Sequence, residues 1–334
     1  MNFALIIDTA FPVPSYYVRD NKAYELKNNN EYFCPNRTLD AGCFTNTWNY
    51  PFLYDGYFIN WSEFKHDLPD LDLDLIFVTI ERCLDRENEY PWIKIENLRK
   101  KYPKAKIVGF IKEIWVGGPY EYNSPKQLAR LDFLNQCDSV IHNRPELKEF
   151  QLFQDKVDVP FNFVAQPHNV EYFSNNFAKI KDAAIWCFTP HHAPRWGNTN
   201  KFCDYLGKKY NVPVRHKNWF GGDDFLKLPL KEFVKQWSSC AFHINLDPID
   251  YYPGNQCTQV ASTGTLHMGG LNDNHHLLYP ETATNNEKEL EEKFALYLND
   301  DIERHKIIQY AFDKVDEVFS FKAVKKQINN IKYK

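Results

Sequence analysis

The chain has 334 residues, enough for about two α/β domains. Hydrophobic residues make up 43% and charged residues 25% of the sequence, which excludes a disordered or collagen-like chain. The formal net charge of −4 disfavours a protein that binds nucleic acid through an overall basic surface. The 8 cysteines include no Cys-x-x-Cys pair, so a zinc ribbon and a disulfide framework are both disfavoured.

The chain begins with an apolar run, residues 2–8 (NFALIID), that predicts a buried first strand. It has neither a basic leader nor a small-residue cleavage site, so it does not resemble a secretion signal. No apolar run approaches the roughly 18 residues that a membrane span needs. We therefore expect a reduced, cytoplasmic protein without a membrane span.

The first half alternates short apolar runs with amphipathic stretches. The runs predict strands at 2–8, 74–80, 105–111, 139–142 and 161–165, and the amphipathic stretches predict helices at 92–101, 124–136 and 145–153. Residues 11–65 are crowded with aromatic side chains, show no clean period and are predicted to be irregular. Strands that alternate with helices predict βαβ units and a parallel sheet.

A second series follows a polar connector near residues 173–182. It predicts strands at 184–189, 212–216, 241–246 and 265–268, helices at 198–210, 230–237 and 256–263, and a charged helical tail at 287–334. The two series predict an α/β protein with two Rossmann-like domains, at residues 1–174 and at residues 175–334 including the tail.

The loop after the strand at 184–189 carries candidate anion-binding groups. It leads into a helix, whose N-terminal amides and dipole favour an anion. Arg195 can grip a phosphate with two hydrogen bonds and Lys201 adds a point charge, while Asn198 or Thr199 can cap the helix. The neighbouring pair His191–His192 predicts no metal site, because adjacent residues seldom point to one centre. The alternative is a loop whose polar residues are only solvated.

The stretch from Asn245 to Thr265 is the most informative one. A strand ends, a loop with Pro and Gly follows, and a short helix starts at Gly254–Asn255. The helix start can hold a pyrophosphate, with Gln259 one turn inside. Gly264 ends the helix and is free to adopt a positive φ before the next strand. The alternative is an ordinary βαβ crossover.

Two sequence patterns resemble those of GT-B glycosyltransferases, in which two Rossmann-like domains face one another across a cleft. The run 259–264 (QVASTG) resembles the family's Glu-x-x-Ala-x-Gly pattern, on the helix that holds the donor nucleotide. The run 166–173 (QPHNVEYF) is similar to the interdomain Pro-Asn-Gly-Val-Asp-x-x-Phe segment, with His168-Asn169 in place of Asn-Gly. Gln259 stands where the family has a ribose-binding Glu, and its amide can still bind a ribose hydroxyl.

A narrower resemblance is to the phage DNA glucosyltransferases that modify hydroxymethylcytosine. Residues 106–115 (KIVGFIKEIW) are similar to a strand of those enzymes that ends at an acidic residue. The resemblance implies that Glu113 is the general base, and Asp8, after the first strand, is the alternative. A base is required only if the enzyme inverts the sugar configuration. If Glu113 is not the base, it pairs with Lys112 or with another surface cation.

The resemblance implies a glycosyltransferase that uses a nucleotide sugar, with UDP as the expected nucleotide, as its substrate and needs neither a cofactor nor a metal. The acceptor hydroxyl belongs to a glycan, to a small molecule or to a hydroxymethylated DNA base. The aromatic stretch from Phe11 to Trp61 would help to shape the acceptor site. The residues expected to bind the donor are His191, Arg195, Lys201, Trp219, Gly254, Asn255, Gln256 and Gln259.

Two alternatives share this fold. A non-catalytic nucleotide-sugar-binding protein would release no free nucleotide diphosphate from the donor. A nucleotide-sugar epimerase would convert the donor in the absence of any acceptor, which product analysis would detect.

Overall fold

A computed structural model gives the fold of the protein. It describes residues 1–7, 14–20, 22–27, 47–64, 67–79, 93–111, 125–143, 154–176, 181–187, 197–216, 235, 238–246 and 255–334. The described strands form two sheets, one of eight strands and one of four. The first sheet has the order β3-β2-β4-β1-β5-β6-β7-β8. Its strands are β1 (Phe3–Ile7), β2 (Tyr16–Arg19), β3 (Lys22–Glu25), β4 (Tyr57–Asn60), β5 (Leu75–Thr79), β6 (Lys106–Ile111), β7 (Ser139–His142) and β8 (Phe161–Phe163).

Six strands of the first sheet, β4, β1, β5, β6, β7 and β8, run parallel. Every residue of β1 and β5 is buried, as expected for parallel strands that are covered on both faces. The register pairs Ile7 with Thr79, Thr79 with Phe110, and Ile111 with His142. These strands therefore end together, along one side of the sheet that we call its carboxyl edge.

Part of the segment predicted to be irregular is instead ordered. Within residues 11–65, β2 and β3 form an antiparallel hairpin. Strand β2 also pairs with β4, the outermost of the parallel strands on that side. The rings of Tyr16 and Phe58, on β2 and β4, stack with their centroids 4.8 Å apart. These strands have only four residues each, too few to show a clear alternation in the sequence, and their aromatic pairs hold them together across strands.

The second sheet has the order β10-β9-β11-β12, and all of its pairs are parallel. Its strands are β9 (Asp182–Cys187), β10 (Val214–His216), β11 (Cys240–Ile244) and β12 (Leu266–Met268). The helices that accompany the two sheets are α1 (Ile95–Lys101), α2 (Pro125–Asn135), α3 (Val170–Asn176), α4 (Gly197–Tyr210), α5 (Asn255–Ser262) and α6 (Asp273–Leu278). The predicted helix at 145–153 and all but one residue of that at 230–237 lie outside the described residues, whereas α3 and α6 were not predicted. The predicted boundary at 174/175 falls within α3 and stays a prediction.

The charged tail forms three helices, α7 (Glu287–Asn299), α8 (Asp301–Phe319) and α9 (Phe321–Asn329). Asn286, Asp300 and Ser320 cap them with side-chain oxygens that accept backbone N–H groups of the first turn. Helix α9 returns to the first sheet, where the Gln327 side chain accepts the N–H of Ala165 at 2.8 Å. The end of the chain therefore packs against the half in which the chain begins.

Candidate functional site

Two helices begin at the carboxyl edge of the second sheet. Helix α4 follows β9 and helix α5 follows β11, and these strands are neighbours in the sheet. The N–H of Leu246, just after β11, donates to the side-chain oxygen of Thr199 in α4 at 3.0 Å. Thr199 thus joins the first turn of α4 to the end of β11 instead of capping its own helix, which was one of the roles predicted for it. The first N–H groups of any helix have no partner within the helix, so a helix start at this edge favours an anion.

Predicted donor-binding residues lie on both helices. Lys201 is on the second turn of α4 and is exposed to solvent. Asn255 and Gln256 are the first two residues of α5, and Gln259 follows one turn later with only 7% of its surface exposed. The structure therefore places Lys201 and Gln259 on helices that follow two neighbouring strands, although they are 58 positions apart in the sequence.

The end of α5 is confirmed as a tight turn on glycine. Gly264 has a φ of +70°. The N–H of Gly264 donates to Ala261 and that of Thr265 to Val260, at 3.1 and 3.2 Å. This pair of bonds is a Schellman motif, which turns the chain directly into β12.

A buried histidine joins α5 to the segment that connects the two sheets. His168 Nε2 lies 2.7 Å from the Ser262 hydroxyl on α5, and that hydroxyl donates to the Thr258 carbonyl at 2.9 Å. Ser262 thus accepts a hydrogen bond from His168, which fixes the proton on Nε2. Burial lowers the pKa of His168 to about 3, so the ring is neutral. The backbone N–H of His168 also donates to Phe319, at the end of α8, at 2.8 Å.

The two candidate bases lie outside the described residues, and their roles stay predictions. Asp8 directly follows β1, and Glu113 comes two residues after the end of β6. Strand β5 lies between β1 and β6. The ends of β1 and β6, after which these two residues follow, are therefore two strand spacings apart, or about 10 Å.

Four of the predicted donor-binding residues also lie outside the described residues. They are His191, Arg195, Trp219 and Gly254. Only their sequence positions relative to the described elements are known. His191 and Arg195 lie between β9 and α4, Trp219 follows β10, and Gly254 directly precedes α5.

The carboxyl edge of the first sheet carries two buried amide side chains that sequence reasoning did not single out. Asn143 directly follows β7 and is 1% exposed, and Gln166 comes three residues after β8 and is 2% exposed. Among the residues that the structure describes, neither the nitrogen nor the oxygen of either amide has a hydrogen-bond partner. A polar residue directly after a short apolar strand, as at 139–143, is the sequence signal that would have pointed to Asn143.

A second buried polar group lies within the second sheet. The Nδ1 atoms of His243 on β11 and His267 on β12 are 2.8 Å apart, and the ring of His275 on α6 lies 4.5 Å from that of His267. Burial lowers the pKa of His267 to about 3 and also lowers that of His275, so neither ring carries a charge. In the described part of the chain, no three His, Cys, Asp or Glu side chains are arranged to hold a metal ion.

The described helices were also compared with the requirements of a bilayer. None of them combines the length and the apolar character that are needed to cross a membrane.

Comparisons with known proteins identify the fold. No protein-family model matches the sequence, and no curated protein does. The E. coli trehalose-6-phosphate synthase bound with UDP-2-fluoro glucose has a TM-score of 0.61 at 10% identity, over 100% of this chain and 100% of that chain. An alpha-glucosyltransferase in complex with UDP-glucose and DNA containing an abasic site has a TM-score of 0.52 at 10% identity, over 98% of each chain. Anabaena HepE in complex with UDP has a TM-score of 0.52 at 10% identity, over 77% of each chain. These neighbours are GT-B glycosyltransferases, and this protein has their fold, an α/β chain with two Rossmann-like domains.

Proposed function

We propose that this protein is a glycosyltransferase that moves a sugar from a UDP-linked donor to an acceptor hydroxyl. The observation that carries the proposal is that helices α4 and α5 follow two neighbouring strands of the second sheet, β9 and β11, and that the N–H of Leu246, just after β11, is bonded to Thr199 in the first turn of α4. Helix N-termini stabilise anions, and a diphosphate is the anion that such an enzyme must hold. The fold supports the same activity, since the structural neighbours are glycosyltransferases.

In the proposed reaction, the acceptor hydroxyl oxygen attacks the anomeric carbon of the donor sugar. The bond from that carbon to the phosphate oxygen breaks, and the nucleoside diphosphate leaves with the electron pair. The N–H groups at the starts of α4 and α5, with Lys201 and Arg195, would stabilise the charge that develops on the leaving diphosphate. Glu113, or Asp8, would take the hydroxyl proton if the reaction inverts the sugar configuration. This scheme uses no metal.

The acceptor divides the proposal into two versions. In one, the hydroxyl belongs to a glycan or a small molecule, and in the other it belongs to a hydroxymethylated DNA base. Assays with each acceptor class and radiolabelled UDP-glucose separate them, because label enters only the correct product. Transfer to neither class, together with release of free UDP to water, would leave the acceptor to be found among other hydroxyl compounds.

Donor binding is tested first by thermal stability. A ligand present at 100 times its Kd stabilises the folded protein by about 2.7 kcal/mol, so UDP and UDP-glucose should each raise Tm. Absence of any shift with a panel of nucleotide sugars would contradict the proposal. Release of free UDP from UDP-glucose then separates an enzyme from a binding protein, and conversion of the sugar without an acceptor would indicate an epimerase.

A pair of lysines on α4 gives a matched control. Lys201 lies near the start of the helix and Lys208 in its last turn, and both are exposed. Lys201→Ala should weaken UDP binding about 2- to 10-fold, as expected for one solvated charge near a phosphate. Lys208→Ala should leave UDP binding unchanged, because it lies about 10 Å further along the helix. Equal effects of the two substitutions would place the diphosphate elsewhere.

A further inference from the structure

The strongest unexplained feature is the pair of amides at the carboxyl edge of the first sheet. Asn143 and Gln166 are almost completely buried, and all four of their side-chain nitrogen and oxygen atoms lack a hydrogen-bond partner in the described part of the chain. Buried polar groups in native proteins are nearly always hydrogen-bonded, because an unpaired one loses its water without compensation. Two such amides at one edge therefore require an explanation.

The topology brings the two amides within reach of one small ligand. Strands β7 and β8 are parallel neighbours in which His142 pairs with Phe163, and the N–H of Val164 donates to His142 at 2.8 Å. Asn143 is thus level with Val164, two residues before Gln166. If the chain continues in the strand direction, the two Cα atoms are roughly 8 Å apart, from two steps of about 3.3 Å and one strand spacing of about 4.8 Å. A single hexose ring can bridge that distance between two amide side chains.

The backbone around Gln166 is held rigidly. The Tyr50 hydroxyl lies 2.9 Å from the carbonyl of Ala165, and Gln327 accepts the N–H of the same residue at 2.8 Å. The Asn49 side chain donates to the carbonyl of Pro167 at 3.1 Å. The backbone groups of the two residues beside Gln166 are therefore hydrogen-bonded, while the Gln166 side chain is not. Such support for an unpaired side chain is what preorganised binding groups require.

We infer that Asn143 and Gln166 form a subsite for the hydroxyl groups of a neutral sugar. An amide offers one acceptor and two donor hydrogens and carries no charge, which matches a hydroxyl that both donates and accepts. The sugar is either that of the donor or that of a sugar acceptor, because both would meet at this edge. This inference rests on the proposed function for its ligand class, but the absence of partners at the two amides does not depend on it.

The test replaces each amide by an apolar side chain of similar shape, in Asn143→Leu and Gln166→Met. Asn162→Leu is the matched control, because the Asn162 amide is bonded to Ser139 at 2.8 Å and accepts the N–H of Lys332 at 3.1 Å. Removal of an unpaired buried amide should hold or raise Tm in the absence of ligand, by up to about 5 °C, whereas Asn162→Leu should lower it. A fall in Tm for Asn143→Leu and Gln166→Met as large as that for Asn162→Leu would overturn the inference.

Binding is measured with three probes, UDP, UDP-glucose and methyl α-D-glucoside. Both variants should bind UDP as the wild type does, since the nucleotide is expected at the second sheet. The affinity for UDP-glucose should fall about 5- to 50-fold if the donor sugar occupies the subsite, and that for the glucoside should fall if the acceptor does. The inference is overturned if both variants bind the two sugar probes with unchanged affinity. It is also overturned if the wild type does not bind the glucoside and binds UDP-glucose no more tightly than UDP. A wild type that does not bind UDP at all would instead contradict the proposed function.

Discussion

The two ends of the parallel strands of the first sheet differ in how their polar groups are satisfied. At the amino edge, where the strands begin, the Asp138 carboxylate accepts the N–H of Ile107 at 2.8 Å and both terminal nitrogens of Arg99 at 3.2 Å. The Asn162 amide donates to the Ser139 hydroxyl at 2.8 Å. These long-range bonds tie neighbouring strands and loops together.

At the carboxyl edge, the buried amides of Asn143 and Gln166 have no hydrogen-bond partner within the described ranges of the chain. Both edges belong to the same strands, so the difference does not come from the type of secondary structure. Polar groups that bond to one another contribute to stability, and polar groups that stay unpaired are available to a ligand, at a cost in stability. The polar side chains at the amino edge bond to one another, whereas the two amides at the carboxyl edge are the candidate ligand-binding groups proposed above. Ligands of open parallel sheets generally bind at the carboxyl edge.

The largest expected effect concerns the candidate general base, Glu113, which follows β6 in the sequence. Glu113→Gln should keep donor binding while transfer falls by about 10²–10⁴-fold, because the acceptor hydroxyl loses its general base. Initial rates with saturating donor measure the effect, and Glu96→Gln, on the exposed face of α1, is the control. A folded Glu113→Gln protein with near-normal transfer would move the role to Asp8 or indicate a mechanism without a protein base.

Arg195→Ala, in the segment of sequence between β9 and α4, should weaken donor binding and slow transfer. A charge-assisted contact to a phosphate contributes about 1.5–3 kcal/mol, or roughly 10- to 150-fold in affinity. Titration calorimetry with UDP measures the loss, and Arg19→Ala on β2 of the first sheet should have no effect. Unchanged UDP affinity in the Arg195 variant would remove this residue from the donor site.

At the amino edge, substitution should change stability and not binding. Asp138→Ala leaves the N–H of Ile107 without its partner, and we expect a loss of about 1.5–3 kcal/mol in the free energy of unfolding. Asp72→Ala, which breaks an exposed pair with Lys104, should cost less than about 1 kcal/mol. Urea unfolding measures both. A change in sugar or UDP affinity in Asp138→Ala would contradict the division between the edges.

The pH dependence of stability extends the comparison to the neutral buried histidines. The pKa of His168 and of His267 is lowered by burial to about 3, below the value of about 6.5 expected in the unfolded chain. Below pH 6.5 the unfolded state therefore binds more protons than the folded state. The free energy of unfolding that is present above pH 6.5 decreases as the pH falls toward 3. Between pH 6.5 and 5, each of these histidines should cost about 1.5 kcal/mol of unfolding free energy.

His168→Gln tests this expectation, because the Gln amide can still donate to the Ser262 hydroxyl but does not titrate. Between pH 6.5 and pH 5, the free energy of unfolding of the variant should therefore fall by about 1.5 kcal/mol less than that of the wild type. Urea unfolding at the two pH values measures the difference. His216, whose pKa is raised to about 9 mainly by a hydrogen bond to Cys187, gives stability that is lost only above pH 6.5. An unchanged slope in His168→Gln would show that His168 is protonated in the fold.

Local patterns in the sequence determined the alternation of strands and helices. The buried runs of β1, β5 and β6 and the helix at Asn255–Ser262 were predicted within a few residues, because burial on both faces and helix periodicity leave a direct trace in the sequence. The positive φ of Gly264 was also predictable, since few other residues adopt it. The direction of the strands led us to expect the candidate site residues near the carboxyl edges, which stays a prediction.

Only the tertiary structure decided which polar groups find partners. Thr199 bonds to Leu246 and His168 bonds to Ser262 across 47 and 94 positions of sequence, separations that no periodicity records. The edge hairpin β2–β3 was missed for a related reason, because its short strands are held by cross-strand aromatic contacts and not by a pattern within each strand. The unpaired state of Asn143 and Gln166 depends on every neighbour that surrounds them, so it could be seen only after the chain had been packed.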